Sequence, residues 1–313
     1  MNKYLNNWQL IINPVSGSNK NRDLNKLQLL LKEKGFTFEV SFTEYAKHAS
    51  DLVAALIDSG IRKFIIAGGD GTYNEVINGI FMQQKVPSSD ITLAMLPSGT
   101  GNDWLKTMEL PSNLSKAIDV ISKGKTFLQD IGKVSYQKEG QSLVSYFLNV
   151  AGTGFDVYVA QKYLKNTKGK LSYIIGALQG LLSYKSQKVK LKFNNREIQT
   201  PMMLLAAGIC RFYGNGMKIC PQAIPNDGLI DMTLVRGLNK WQSLKVFLKV
   251  FNGSFTKHPM VETFRSKKIK VESEQPIYLQ ADGEIFGHTP FEFSILHQGI
   301  RVVGNGTQIW DAA

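Results

Sequence analysis

Three short segments of this chain concentrate the residue types that hold phosphates. They are Asn13 to Lys20 (NPVSGSNK), Gly68 to Asn74 (GGDGTYN) and Pro97 to Asp103 (PSGTGND), each rich in Gly, Ser, Thr and Asn. Glycine lets backbone N–H groups come close to phosphate oxygens, and a helix amino terminus adds about half a positive charge at the same spot. Three such loops at one sheet edge describe a polyphosphate cradle. The second loop fits neither GxGxxG nor GxxxxGK[ST], because no Lys follows its glycines, so an ordinary P-loop is excluded. Asp70 stands inside that loop. A carboxylate beside a phosphate cradle repels the ligand unless a divalent cation or a hydroxyl intervenes, and magnesium bound to a nucleotide is the simplest resolution. Asp70 closing a turn is the alternative. Asp103 and Asp130 have weaker claims, since Asp103 is equally suited to cap a helix.

The elements that must carry these loops follow from hydrophobic spacing. Trp8 to Ile12, Phe36 to Phe42, Lys63 to Ala67 and Ile91 to Leu96 read as short strands. Between them, Leu24, Leu27, Leu30 and Leu31 recur at helical spacing until Gly35, Ala46 to Ile57 forms an amphipathic helix, and Thr72 to Ile80 and Ser112 to Ile121 turn helical. Alternation of this kind predicts a parallel sheet wrapped by helices, with ligands at the carboxyl ends of the strands. Beyond about Asp130 the period changes to two. Strands are predicted at Phe147 to Ala151, Val189 to Phe193, Met202 to Ala207, Leu229 to Val235, Ile269 to Val271 and Ile277 to Ala281, with helices at Val157 to Leu164, Leu171 to Leu182 and Gln242 to Phe251.

At 313 residues, 43% of them hydrophobic, the chain has room for two domains and a substantial core. The formal charge of +12 draws it to polyanions. No recognisable nucleic-acid module accompanies that excess, so nucleic acid is not expected as a partner. Two cysteines, Cys210 and Cys220, exclude a disulfide framework and suit a reducing compartment. The four histidines have no metal-ligand spacing. Met1 to Gln9 lacks the features of a signal peptide, and the apolar stretch Leu171 to Tyr184, about 14 residues, is short of the roughly 20 needed to span hydrocarbon. A cytoplasmic protein is expected.

Together the motifs INPVSG, GGDGTYNEVING, LPSGTGNDW, Asp130-Ile131-Gly132, NVAGTGFD, PNDGLID and ADGE, in that order, resemble the diacylglycerol kinase catalytic domain family in its soluble bacterial branch. The match runs from Asn13 to Glu284. The resemblance implies an α/β nucleotide-binding domain similar to NAD kinases and phosphofructokinases, residues 1–130 with a tail from about 300 to 313 expected to return to it. A mostly β-sandwich lipid-substrate domain would occupy 131–299, with the active site between the two. It further implies that ATP contacts Asn13, Pro14, Val15, Ser16, Gly17, Thr43, Gly68, Gly69, Asp70, Gly71, Thr72, Tyr73, Asn74 and Thr100, and that Asp70 and Asp103 organise metal and phosphates. By the same similarity Glu284 is the general base, and Asp227, with the carbonyls of Ile224 and Leu229, holds a structural magnesium ion. Tyr73 stands where the family commonly has Leu, and Trp104-Leu105-Lys106 where Phe-Ala-Arg is frequent. These departures touch acceptor choice more than chemistry.

Glu284 also has a physical argument, because a hydroxyl attacking phosphorus must lose its proton and a carboxylate in reach can take it. Taken locally, Asp282-Gly283-Glu284 is equally a hairpin turn with solvated acids. The expected reaction is phosphorylation of a membrane lipid, diacylglycerol first, by magnesium ATP. A sphingoid base, ceramide, phosphatidylglycerol or, more remotely, NAD are rival acceptors, and a non-catalytic nucleotide-dependent membrane regulator is the rival from another class. A lipid substrate requires peripheral membrane contact. The segment Lys240 to Phe251, with Trp241, Leu244, Phe247, Leu248 and Phe251 among three lysines, suits either an interfacial or a core-packed helix. The oligomeric state is left open, a homodimer included.

Overall fold

The computed structural model describes residues 6–15, 24–97, 101–163 and 170–305. Two compact units share the chain: Met1–Asp130 with His297–Ala313, and Ile131–Leu296.

The first unit is built from β1 (Trp8–Ile12), α1 (Leu24–Glu33), β2 (Phe38–Phe42), α2 (His48–Asp58), β3 (Lys63–Ala67), α3 (Asp70–Met82), β4 (Thr92–Met95), α4 (Asp103–Thr107) and α5 (Leu114–Ser122). Its strands run parallel in the order 2-1-3-4, and the returning chain adds Arg301 and Val302 beside β4. Every residue of β1 is buried, as a strand covered on both faces requires. The chain steps from β1 outward to β2 and then crosses to β3 on the other side. The sheet order therefore reverses between β2 and β3 around β1, which opens a crevice at the carboxyl ends of β1 and β3.

Helix α1 buries Leu27 and Leu31, and α5 buries Ala117, Ile118 and Ile121. Strand β2 begins two residues later than its sequence pattern indicates. Phe36 instead follows Gly35, whose φ of 84° ends the helix turn, and packs edge-on against Trp8 with centroids 6.0 Å apart. Helix α2 has no capping side chain of its own; the Glu75 carboxylate of α3 accepts from the N–H of Lys47 (2.9 Å) and of Ala49 (3.2 Å), placing negative charge at a positive helix end.

The second unit comprises β5 (Thr126–Lys138, entering from the first unit), β6 (Gln141–Phe147), β7 (Val150–Gly154), α6 (Phe155–Tyr163), α7 (Lys170–Ser183), β8 (Gln187–Phe193), β9 (Arg196–Gly208), β10 (Ile230–Arg236), α8 (Lys240–Lys249), β11 (Val261–Ser266), β12 (Lys268–Ser273), β13 (Tyr278–Ala281) and β14 (Glu284–Val303, leaving toward the first unit). Two antiparallel layers share their long strands. One runs β11-β10-β9-β7-β13-β14, and β9 and β14 each continue into a second layer through β8 and β12. Leu205, Met232, Leu234, Phe291 and Phe293 belong to the core of this sandwich, while Met203, Leu204 and Val235 turn to α6, α7 and α8 on the other face. Strands β9 and β10 are thus covered on both sides, which explains the unbroken apolar run Met202 to Ala207 in β9 and the burial of every β10 residue from Ile230 to Val235.

Strand β7 starts at Val150, not Phe147. The N–H groups of Leu148, Asn149 and Val150 all donate to the Asp282 carboxylate, at 2.8, 3.0 and 3.1 Å, so this stretch is held by a side chain before it joins a ladder.

Helix α3 crosses α2 at Gly79, where an added Cβ would lie 2.4 Å from the Ser50 carbonyl oxygen. Backbone cannot yield as a side-chain tip does. Gly79→Ala is expected to force the two helices apart and cost about 1–3 kcal/mol, read as a lower urea midpoint.

Candidate active site

The carboxyl ends of β1, β2 and β3 lie level, with Ile12 in register with both Phe42 and Ala67. The Asn13 N–H donates to Ala67 O at 3.0 Å and the Thr43 N–H to Ile12 O at 2.9 Å, which brings Asn13, Thr43 and Gly68 onto one edge. Asn13 works as a buckle there. Its Oδ1 accepts from Val15 N–H at 3.1 Å, turning the loop, and its Nδ2 donates to Thr72 Oγ1 at 2.9 Å, tying that loop to the start of α3. Pro14 and Val15 are exposed.

The turn from β3 into α3 is tight. A Cβ on Gly68 would fall 2.4 Å from Thr72 Cβ, so only glycine fits that position. Gly69 is the N-cap, extended at φ −89°, ψ −175°, with no side chain to cover the helix end. Asp70 and Gly71 follow, half-buried in the first turn. Tyr73 points inward and its hydroxyl donates to Leu96 O at 2.6 Å, while the Asn78 side chain donates to Asn74 O and Oδ1 at 2.9 and 3.2 Å. Gly69, Asp70 and Gly71 therefore offer the loop's open edge, and Thr72, Tyr73 and Asn74, all buried, hold it. An uncapped helix start with its partial positive charge, rimmed by glycine, can accept a phosphate.

Asp103 begins α4. It is buried and receives Lys106 Nζ at 2.7 Å, so the Lys at the family's Arg position neutralises it. Asp130, fully buried, accepts from His297 Nδ1 at 2.8 Å and from the Gln298 N–H at 2.6 Å, and so anchors the returning chain within the first unit. Ser16, Gly17 and Thr100 lie outside the described residues.

In the second unit Glu284 is exposed at the head of β14, immediately after a two-residue turn. Asp282 (φ 49°) and Gly283 (φ 90°) are both left-handed, the geometry of the Asp-Gly hairpin turn. The Asp282 carboxylate fastens this turn to the segment before β7 by the three N–H bonds given above. A second tether reaches deeper: the Gly283 N–H donates to Gln280 Oε1 at 3.0 Å, and Gln280 Nε2 donates to Asp156 Oδ2 at 3.2 Å. Asp156 also accepts from the Tyr213 hydroxyl at 3.4 Å, and its Oδ1 is buried without a partner. Burial pushes its pKa up to about 6, against the lowering effect of these hydrogen bonds. It faces a narrow cavity of about 60 Å³ between β9, α6, α7 and α8, whose walls are otherwise mostly apolar. Asp156, Gln280 and Asp282 carried no sequence-derived role, although both aspartates lie inside the quoted motifs NVAGTGFD and ADGE. What singles them out is the hydrogen-bond chain, which needs the fold.

Asp227 turns its Oδ1 to the Leu229 N–H at 3.0 Å, with Arg265 Nη1 at 3.4 Å from Oδ2. Ile224 and Leu229 flank it, half-buried. Asp231 Oδ2 is buried nearby without a partner, and burial raises the Asp231 pKa to about 6, with the neighbouring Arg265 opposing and Asp227 adding to the rise. Two carboxylates, Asp227 and Asp231, stand here under the influence of two guanidiniums, Arg265 and Arg211, and the carboxylate oxygens are of the kind a hard cation takes. Among the described residues no three His, Cys, Asp or Glu side chains converge, and a cation held by one carboxylate and backbone carbonyls does not require that they do.

This architecture is shared. The chain superposes on the crystal structure of a diacylglycerol kinase from Bacillus anthracis str. Sterne with a TM-score of 0.72 at 22% identity, covering 96% of this chain and 97% of that one. Residues 7–134 match the diacylglycerol kinase catalytic domain, and residues 149–304 the YegS C-terminal NAD kinase beta sandwich-like domain. A diacylglycerol kinase of Staphylococcus saprophyticus is 31% identical over 298 residues, 94% of each chain. The diacylglycerol kinase of Bacillus subtilis (strain 168) is 30% identical over 305 residues, 94% of this chain and 95% of its own. An α/β catalytic domain followed by an NAD kinase-like β-sandwich defines a phosphotransferase of the lipid kinase class. This chain belongs to the diacylglycerol kinase family.

The buried Asp156 sets a pH dependence. Its folded pKa lies above the unfolded value, so between about pH 4 and 6 the folded state holds the extra proton and stability falls as pH rises. Asp156→Asn removes that loss. Its stability relative to wild type is expected to improve by up to about 3 kcal/mol from pH 4 to 6 and to level off above, measured by urea unfolding across the range.

Proposed function

We propose that this protein transfers the γ-phosphoryl group of ATP to the free hydroxyl of a membrane lipid, with diacylglycerol as acceptor and phosphatidic acid as product. The observation that carries the reading is the buckled edge where Asn13 Nδ2 meets Thr72 Oγ1 at 2.9 Å, over an uncapped helix start with glycine on its rim. The names of the relatives support the choice of acceptor.

In this reading Asn13 to Gly17, Thr43, Gly68 to Asn74 and Thr100 hold the nucleotide, Ser16, Gly17 and Thr100 being assigned by resemblance alone. Asp70 and Asp103 would organise the magnesium and phosphates of the nucleotide, Asp103 through its ion pair with Lys106, and the magnesium when bound offsets phosphate charge. Asp227, with the carbonyls of Ile224 and Leu229, would hold a second, structural magnesium; the partnerless buried oxygen of the neighbouring Asp231 supports a polar ligand there. The lipid hydroxyl oxygen bonds to phosphorus as the bond to the β-phosphate oxygen breaks. ADP leaves, and the hydroxyl proton passes to the Glu284 carboxylate. Asp282 and Gln280 keep the turn that carries Glu284 in one conformation, so the base is presented without searching. The protein would act in the cytoplasm at a membrane surface. Among the described residues no helix is long and apolar enough to cross a membrane.

Labelled ATP offered with diacylglycerol, a sphingoid base, ceramide, phosphatidylglycerol and NAD tests the acceptor, and diacylglycerol is expected to be labelled fastest. Glu284→Gln is expected to lower kcat by about 10²–10⁴-fold with little change in the KM for ATP. Asp70→Asn is expected to lower kcat and to shift its magnesium dependence. Turnover of Glu284→Gln equal to wild type would remove Glu284 as the base, and NAD as sole acceptor would overturn the lipid assignment.

A further inference from the structure

Helix α8 carries two faces of different purpose. Ser243, Val246, Phe247 and Val250 are buried on one side, three of them apolar and packed in the core beneath. Trp241 and Leu248, seven residues apart, fall on the opposite side, 77% and 66% exposed. At about 100° per residue they occupy the middle of the solvent face, with Lys245 and Lys249 beside them and Lys240 at the helix start. All three lysines are exposed, and the helix contains no acid. The neighbouring α7 adds Ile175 and Leu178, 48% and 38% exposed. A core-packed helix puts its largest apolar side chain inward, and this one puts its tryptophan outward.

We infer that the outer face of α8 docks on an anionic lipid surface, with Trp241 and Leu248 entering the interface and Lys240, Lys245 and Lys249 against the headgroups. The inference deepens the reading of the acceptor as a membrane lipid and rests on it. Tryptophan favours the boundary between headgroup and acyl chain, and lysines around an inserted apolar pair are attracted by anionic lipid. A second copy of this chain is a poorer occupant. A two-fold contact through this face would set two such lysine groups against each other without an acid on either helix. The inner face of the same helix lines the cavity that holds Asp156, so docking would bring that cavity to the lipid boundary.

The test is sedimentation of the full chain with vesicles of phosphatidylcholine, alone or mixed with phosphatidylglycerol. Wild type is expected to bind the mixed vesicles and to bind the neutral ones at least about tenfold less. Trp241→Ala with Leu248→Ala is expected to lower partitioning about tenfold or more, and Lys245→Gln with Lys249→Gln by about tenfold at low salt. Both double variants should phosphorylate a short-chain, water-soluble diacylglycerol at the wild-type rate, which also reports that they fold. Equal vesicle binding by wild type and the Trp241/Leu248 variant overturns the docking face while leaving the kinase reading intact. Loss of a dimer in that variant, seen by analytical ultracentrifugation, overturns it in favour of a subunit interface. No turnover of any lipid by wild type removes the underlying reading.

Discussion

Everything in the first unit depends on how little room separates the end of β3 from the start of α3. Gly68 has space for a hydrogen and nothing larger, because Thr72 Cβ occupies the place of its missing side chain. That closeness lets Thr72 Oγ1 receive Asn13 Nδ2, and the bond joins two loops that are 59 residues apart in sequence. The two loops then form one edge. The remaining contacts serve that junction: Tyr73 holds the far end of β4 through Leu96 O, and Glu75 ties α2 to α3 through the amides of Lys47 and Ala49.

The second unit solves a different problem with the same economy of backbone groups. Glu284 stands exposed at the head of a strand, and an exposed carboxylate there has no packing of its own to fix it. The turn before Glu284 supplies the fixing. Asp282 gathers three amides that would otherwise open the β7 ladder, and Gln280 connects Gly283 to a carboxylate under the sheet. The partnerless oxygen of Asp156 beside an apolar cavity carries a desolvation cost, which raises its pKa.

Charge is distributed to match. Of the excess of twelve positive charges, Lys240, Lys245 and Lys249 lie on a helix of the second unit, around an exposed tryptophan. The buried carboxylates Asp103 and Asp231 are each met by a cation, Lys106 and Arg265. Asp156 has hydrogen bonds but no cation, and burial outweighs them, raising its pKa to about 6; burial does the same to Asp231 in spite of Arg265.

The sequence by itself determined the type of nearly every element in the first unit, because strands buried on both faces read as continuous apolar runs and helices repeat at their own period. It also singled out the Gly-Gly-Asp-Gly-Thr turn, whose first glycine is demanded by its contact with Thr72 four residues on. The short α4 was hidden by its length, and the hairpin of β5 and β6 and the twenty-residue β14 by mixed polar patterns that change face along the strand. Strand order, the meeting of Asn13 with Thr72, the clasp of Asp282 and the tether from Gly283 to Asp156 were decided by tertiary structure alone. These are contacts between residues distant in the chain, and no local spacing records which distant partner a hydrogen-bonding group will find.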